Sequence, residues 1–186
     1  YMFINKVNTF IIIILNIITM TLKADEILID NFINNNEKNW EFISDQVMGG
    51  VSFGDYKIIS EENVSFIRLT GFVSLENNGG FIQVRKKITH VNNKKFKGIK
   101  FKCRGNNTDY FIHIRTSFTL LPWQYYQGKF YTNSNWQEIR LDLSEFSSSG
   151  TLLPKNIKSK HIKSIAIVAF GKKHRVNLDV SNIAFY

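Results

Sequence analysis

From Ile27 to Tyr186, short runs of β-branched, aromatic and aliphatic residues alternate with polar ones and are interrupted at close intervals by Asn and Gly, a rhythm that few architectures accept. The runs fall at residues 27–32, 56–60, 64–73, 81–88, 98–104, 110–116, 123–132, 136–143, 162–170 and 176–185. Turn-forming clusters separate them, among them Asn34-Asn35-Asn36, Asn77-Asn78-Gly79-Gly80, Asn92-Asn93, Gly105-Asn106-Asn107 and Asn133-Ser134-Asn135. Helical periodicity is almost absent. Such spacing predicts an all-β domain, a two-layer β-sandwich with a jelly-roll path. The longest connection, Ser147 to Gly150 followed by Leu152, Leu153 and Pro154, is predicted to be a mobile loop or a short helical turn.

Successive side chains of a strand point to opposite faces, so the sequence also predicts which are wet. Ile99, Phe101 and Cys103 share a dry face against Lys100, Lys102 and Arg104, and Tyr110, Ile112 and Ile114 oppose Phe111, His113 and Arg115. Likewise Ile82 and Val84 oppose Gln83, Arg85 and Lys87, while Ile139, Leu141 and Leu143 oppose Trp136, Glu138, Arg140 and Asp142. If these strands are neighbours, one sheet carries a polar, partly aromatic surface suited to a ligand. The run at 162–170 is nearly continuous in apolar residues, as a central strand covered on both sides would be.

Ahead of this region, Lys6, an apolar run from Phe10 to Met20 and then Leu22-Lys23-Ala24 follow the order of a secretory signal peptide. This predicts a cut after Ala24 and a single domain over 25–186. The run is shorter than the roughly 20 apolar residues a membrane span requires. The mature protein is thus expected to be exported, periplasmic or in the cell envelope, and not to span the membrane itself. A mitochondrial presequence would be Arg-rich, whereas the first arginine is Arg68.

The formal charge of +9 becomes +7 without Lys6 and Lys23. Its lysines are spread along the chain, and the one cluster, Lys86 to Lys95, reads as a solvated loop, so no nucleic-acid partner is expected. Cys103 is the only cysteine and lies in an apolar register, which predicts an inert thiol and no intrachain disulfide.

Motifs that announce an enzyme are mostly missing. There is no phosphate-binding glycine loop, no dinucleotide fingerprint and no zinc-protease helix motif. His90, His113, His161 and His174 lack metal-ligand spacing, so neither a metal nor a cofactor is expected. Glu138 with Asp142, or Asp45 with Asp55, could form a carboxylate pair for glycoside chemistry, but both pairs read as solvated acids.

Residues 40–54, WEFISDQVMGGVSFG, have a more specific order: an aromatic anchor, one acid and a Gly-Gly pair between apolar runs. Trp40 and Phe42 are predicted on one face of a short strand, with Asp45 bonding backbone N–H groups ahead of it as an Asx-type turn. Gly49 and Gly50 then permit positive φ or a close backbone approach. Met48 beside them is either an adaptable apolar contact for a partner or a plug for the end of the sandwich.

This run, together with Gly71, Glu76-Asn77-Asn78-Gly79-Gly80-Phe81, Trp136-Gln137 and Phe146, resembles the complex I intermediate-associated protein 30 family over nearly the whole mature chain. The resemblance implies a galactose-binding-like jelly roll and a non-enzymatic role, since mitochondrial members assist assembly of respiratory NADH:ubiquinone oxidoreductase. It places Asp45, Met48, Gly49, Gly50, Gly79, Gly80 and Phe81 in the family's motif positions.

The expected partner is therefore a protein, a membrane complex or its assembly intermediate. The alternative is a glycan, stacked on Trp136, Tyr126 and Trp123 near Arg115, Gln83 and Gln124. The candidate binding residues beyond the corner are thus Arg85, His113, Arg115, Tyr126 and Trp136.

Overall fold

The alternation is realised as β1 (Ile27–Asp30), β2 (Glu41–Ser44), β3 (Phe53–Glu61), β4 (Val64–Val73), β5 (Phe81–Lys87), β6 (Gly98–Gly105), β7 (Asp109–Thr116), β8 (Tyr126–Tyr131), β9 (Gln137–Asp142), β10 (Ser147–Ser148), β11 (Ile162–Phe170) and β12 (His174–Phe185). A computed structural model describes residues 26–34, 37–89 and 95–186. The predicted signal peptide and residues 90–94 of the lysine-rich loop lie outside them. Among the described residues no helix is long and apolar enough to cross a membrane.

Two antiparallel sheets face each other. One has the order β3-β4-β12-β6-β9 with β1 also paired to β12, and the other has the order β10-β8-β7-β11-β5-β2. The chain changes sheet repeatedly, so strands distant in sequence become neighbours: β12 lies between β4 and β6, and β11 between β7 and β5.

The predicted dry faces meet between the sheets. Ile99, Phe101 and Cys103 of β6 and Tyr110, Ile112 and Ile114 of β7 are all buried, with Ile82 and Val84 of β5 and Leu141 of β9. Register ties the second sheet's inner face together, Ile165 of β11 lying opposite Ile114 and Ile167 lying between Ile112 and Val84. Each such side chain contributes about 1.5–3 kcal/mol of transfer free energy. Burial pushes the Cys103 thiol up to about 11, which leaves it protonated and unreactive at neutral pH.

Two expectations are corrected. Ser147 and Ser148 are neither loop nor helical turn but form β10, pairing with Gln127 and Tyr126 at the edge of the second sheet. More consequentially, the wet faces do not belong to one sheet. Lys100, Lys102 and Arg104 of β6 and Glu138 and Arg140 of β9 lie on the first sheet, whereas Gln83, Arg85 and Lys87 of β5 and His113 and Arg115 of β7 lie on the second. Alternation decides which way a side chain points from its strand. It says nothing about which sheet that strand joins.

Candidate functional site

The residue 40–54 segment and the ENNGGF segment form one corner. Trp40 precedes β2 and is buried against Phe32, its indole N–H donating to Asp30 at 3.0 Å. After Ser44 ends β2, Asp45–Met48 makes a single 3-10 turn, closed by Gly49 in the left-handed region at φ 92°. That conformation is costly for a residue with a Cβ.

Asp45 does not form the predicted local Asx turn. Its carboxylate is fully buried and accepts from the Ser52 N–H at 2.9 Å, the Ser52 hydroxyl, the Gly80 N–H at 2.6 Å and the Phe81 N–H at 3.3 Å. Ser52 Oγ in turn accepts from the Ser74 N–H at 2.9 Å. One carboxylate therefore joins the turn after β2, the start of β3, the end of β4 and the start of β5.

Glycines make room for it. A Cβ on Gly50 or on Gly79 would lie 2.4 Å from the Asp45 carboxyl group. Burial alone would raise the Asp45 pKa, but the hydrogen bonds from Ser52, Gly80 and Phe81 outweigh it and hold the carboxyl below its ordinary 3.8.

Met48 does not plug the sandwich. It is 62% exposed and Val47 beside it 76% exposed, and Val51, Phe53 and Leu75 are exposed on the segments that Asp45 joins. The corner is thus a rigid, hydrogen-bonded base carrying an apolar rim.

A second surface lies on the outer face of the second sheet. Register sets one row across five strands, Gln127, His113, Ala166, Arg85 and Glu41, and beside it the row Lys129, Phe111, Val168, Gln83 and Ile43. β11 contributes the small residues Ser164, Ala166 and Val168, all buried, and larger side chains stand on β7 and β5 to either side. The result is a shallow trough along β11.

Aromatic contacts stiffen one wall. The His113 imidazole lies flat against the Tyr125 ring, 4.0 Å between centroids and 8° between planes, with Phe170 edge-on to both. Burial drives the His113 pKa down to about 4 against a raising contribution from Gln127, so the ring is neutral at pH 7. Arg85 pairs with Glu41 at 2.8 Å. Arg115 is committed elsewhere: its guanidinium donates to the carbonyls of Thr119, Leu121 and Pro122 at 2.9, 2.9 and 3.0 Å.

Two predicted site residues are not at this surface. Tyr126 points into the core, its hydroxyl donating to the Pro154 carbonyl at 2.8 Å, and the outward neighbour Tyr125 takes the place expected for it. Continuing the alternation back from buried Phe130 and Gly128 would have identified Tyr125. Trp136 lies on the first sheet, edge-on to Phe66 at 5.4 Å and under the Arg104 guanidinium at 4.8 Å. There Arg68 and Arg104 both close on Asp179, at 2.7 Å each. Trp136 cannot share a ligand with His113 and Tyr125 across the sandwich.

The carboxylate pairs do not converge either. Glu138 pairs with Arg140, Asp142 caps the turn that follows β9, and buried Asp45 is spent on its donors while Asp55 is exposed. Among the described residues no group of three or more His, Cys, Asp or Glu is placed to hold a metal ion.

Two facing antiparallel sheets on this path are a galactose-binding-like jelly roll. The family 11 carbohydrate-binding module of the cellulosomal cellulase Lic26A-Cel5E of Clostridium thermocellum superposes with a TM-score of 0.71 at 16% identity, over 87% of this chain and 94% of that one. The Clostridium thermocellum module in complex with a β-1,3-1,4-mixed-linked tetrasaccharide gives 0.68 at 16% identity over 86% and 94%. An exo-β-agarase gives 0.59 at 10% identity, over 86% of this chain and 25% of the agarase. No curated protein gives a significant match. The sequence profile of complex I intermediate-associated protein 30 matches residues 31–180, and the chain belongs to that family.

Proposed function

We propose that the protein is a non-enzymatic binding module that assists the assembly or stabilisation of a membrane-associated protein complex, with the Asp45 corner as its contact. The observation that carries this reading is the exposure of Val47 and Met48 on a base that a buried carboxylate holds rigid. A backbone already held in place has little further entropy to lose when a partner covers its side chains, and burying each gives about 1.5–3 kcal/mol. Family membership agrees with the partner class.

The test is cross-linking and affinity capture from the native cell envelope, comparing the parent with the double variant Val47→Asp/Met48→Asp. Both positions are exposed, so the variant folds. The parent should retain subunits of a membrane complex that the variant loses. Identical captured sets would sink this reading.

A second reading is favoured by the trough. The flat His113–Tyr125 pair, with Gln83, Gln127 and Arg85 in register around a floor of small residues, is a surface on which a sugar chain can stack and hydrogen-bond. The similarity in fold to a module solved with a tetrasaccharide adds to it. A glycan array on the purified protein decides: binding that is lost in Tyr125→Ala supports it, and a signal at background removes it.

A further inference from the structure

The loop joining β7 to β8 and the segment between β10 and β11 form one continuous surface. Ser149 donates its N–H to the Tyr125 carbonyl at 2.9 Å and its hydroxyl to the Trp123 carbonyl at 3.1 Å. Ser117 receives the other end of the segment, its N–H donating to the His161 carbonyl at 2.8 Å, with the Phe118 ring edge-on to His161 at 4.8 Å.

This surface is apolar at its tip. Leu120 is 82% exposed, Leu152 91% and Trp123 63%. The exposure is built in, because the three carbonyls that Arg115 gathers fix the 119–122 backbone and leave the leucine side chains outside. A soluble surface rarely holds several large apolar side chains outward on a pre-formed loop without something to cover them.

Charge identifies the cover. The sequence has no Asp or Glu between Asp109 and Glu138, and none between Glu145 and Asp179. Lys155, Lys158 and Lys160 are exposed next to the tip, and among the described residues no carboxylate pairs with them. Exposed leucine and tryptophan side chains on segments that also carry ammonium groups without a carboxylate partner match a bilayer interface, with acyl chains beneath anionic phosphates.

We propose that this end of the sandwich docks on an anionic lipid bilayer, Leu120, Leu152 and Trp123 entering the interface and Lys155, Lys158 and Lys160 meeting lipid phosphates. The surface stands at the Ile162 end of β11, whereas Phe81 and the Asp45 corner stand at the Phe170 end. The nine residues of β11, with a rise of about 3.3 Å from each to the next, separate the two by roughly 26 Å. Bilayer contact and a protein partner at the corner are thus compatible.

The experiment uses the full chain with vesicles of phosphatidylcholine alone or mixed with phosphatidylglycerol, and reads quenching of tryptophan emission by brominated acyl chains. Residues 1–24 contain no tryptophan and Trp40 is buried, so the difference between the parent and Trp123→Phe reports this loop and not the N-terminal apolar run. Trp123 should be quenched in anionic vesicles and spared in phosphatidylcholine, with quenching weakened by salt. Leu120→Ser/Leu152→Ser should abolish it, and Lys155→Glu/Lys158→Glu/Lys160→Glu should weaken vesicle affinity roughly tenfold or more.

Unquenched Trp123 in anionic vesicles, with circular dichroism showing a folded chain, overturns the proposal. So does equal quenching in both lipid mixtures. Concentration-dependent dimers that Leu120→Ser/Leu152→Ser dissolves, with Trp123 untouched by vesicles, would overturn it in favour of a second copy of the chain.

Discussion

Replacing Asp45 with Ala should cost far more than removing a surface acid. The carboxylate accepts three backbone N–H groups and one hydroxyl, and the hydroxyl of Ser52 has an alternative acceptor in the Ser74 carbonyl at 3.2 Å. The N–H groups of Ser52 and Gly80 are buried, where water does not readily replace the lost carboxylate. Two of these bonds are short and charge-assisted, each worth about 1.5–3 kcal/mol, and the third, at 3.3 Å, is weaker. The expected loss is about 3–5 kcal/mol, or roughly 10 °C in melting temperature for a domain of this size.

Asp45→Asn should lose less, about 2 kcal/mol, because its amide oxygen can face the crowded Oδ2 side while its NH2 confronts the Ser52 N–H. Urea denaturation at pH 7 followed by circular dichroism measures both. The sign with pH follows from the depressed pKa: the carboxylate's contribution is complete above the unfolded value and is lost as pH falls through the lower folded one. The gap between parent and Asp45→Ala should therefore close in acid, below about pH 3.8. A loss under about 1 kcal/mol at pH 7 would refute the claim that this carboxylate organises the corner.

Other outcomes follow from the same geometry. Gly50→Ala, whose Cβ would strike the Asp45 carboxyl at 2.4 Å, should destabilise by several times the roughly 1 kcal/mol expected of Gly49→Ala, where the space is open and only the backbone is strained; paired denaturation curves decide it. His113 titrates near 4 in the fold against 6.5 ordinarily, so stability should fall by about 3 kcal/mol as pH drops from about 6.5 to 4 and then level off, a slope that His113→Phe removes. Arg115→Met should cost only about 1 kcal/mol globally yet speed amide exchange at Thr119 and Gln124, whose N–H groups bond within the loop that Arg115 braces. Trp136→Ala should cost about 1–3 kcal/mol through its Phe66 and Arg104 contacts and leave any glycan binding intact; selective loss of that binding would return Trp136 to the site.

Much of this was legible in the chain. Alternation identified the dry faces of β5, β6 and β7, because burying one side of a strand forces a period of two. It also exposed the unusual apolar run of β11, whose outer residues Ala166 and Val168 are buried. The corner motif was recognisable from its residue types, but its physics was not: Asp45 and Gly80 are 35 positions apart, and no local rule relates them. Sheet membership was equally hidden, which misplaced Trp136. Tyr126 failed by a single residue, the error to which adjacent identical side chains in a strand are most open. The exposed leucines of the 117–124 loop escaped notice because, without tertiary contacts, an apolar pair in a turn reads like a core pair.

The sole cysteine of the chain has a practical consequence. Cys103 is sealed between the sheets with its thiol held protonated, so maleimides and nitroxide reagents should pass it by in the folded state. A second cysteine placed at Met48 or at Leu152 would then be the only reactive handle, with no need to engineer the native thiol away. Spin-label accessibility at one end and fluorescence transfer to a labelled partner at the other would track the molecule's orientation directly.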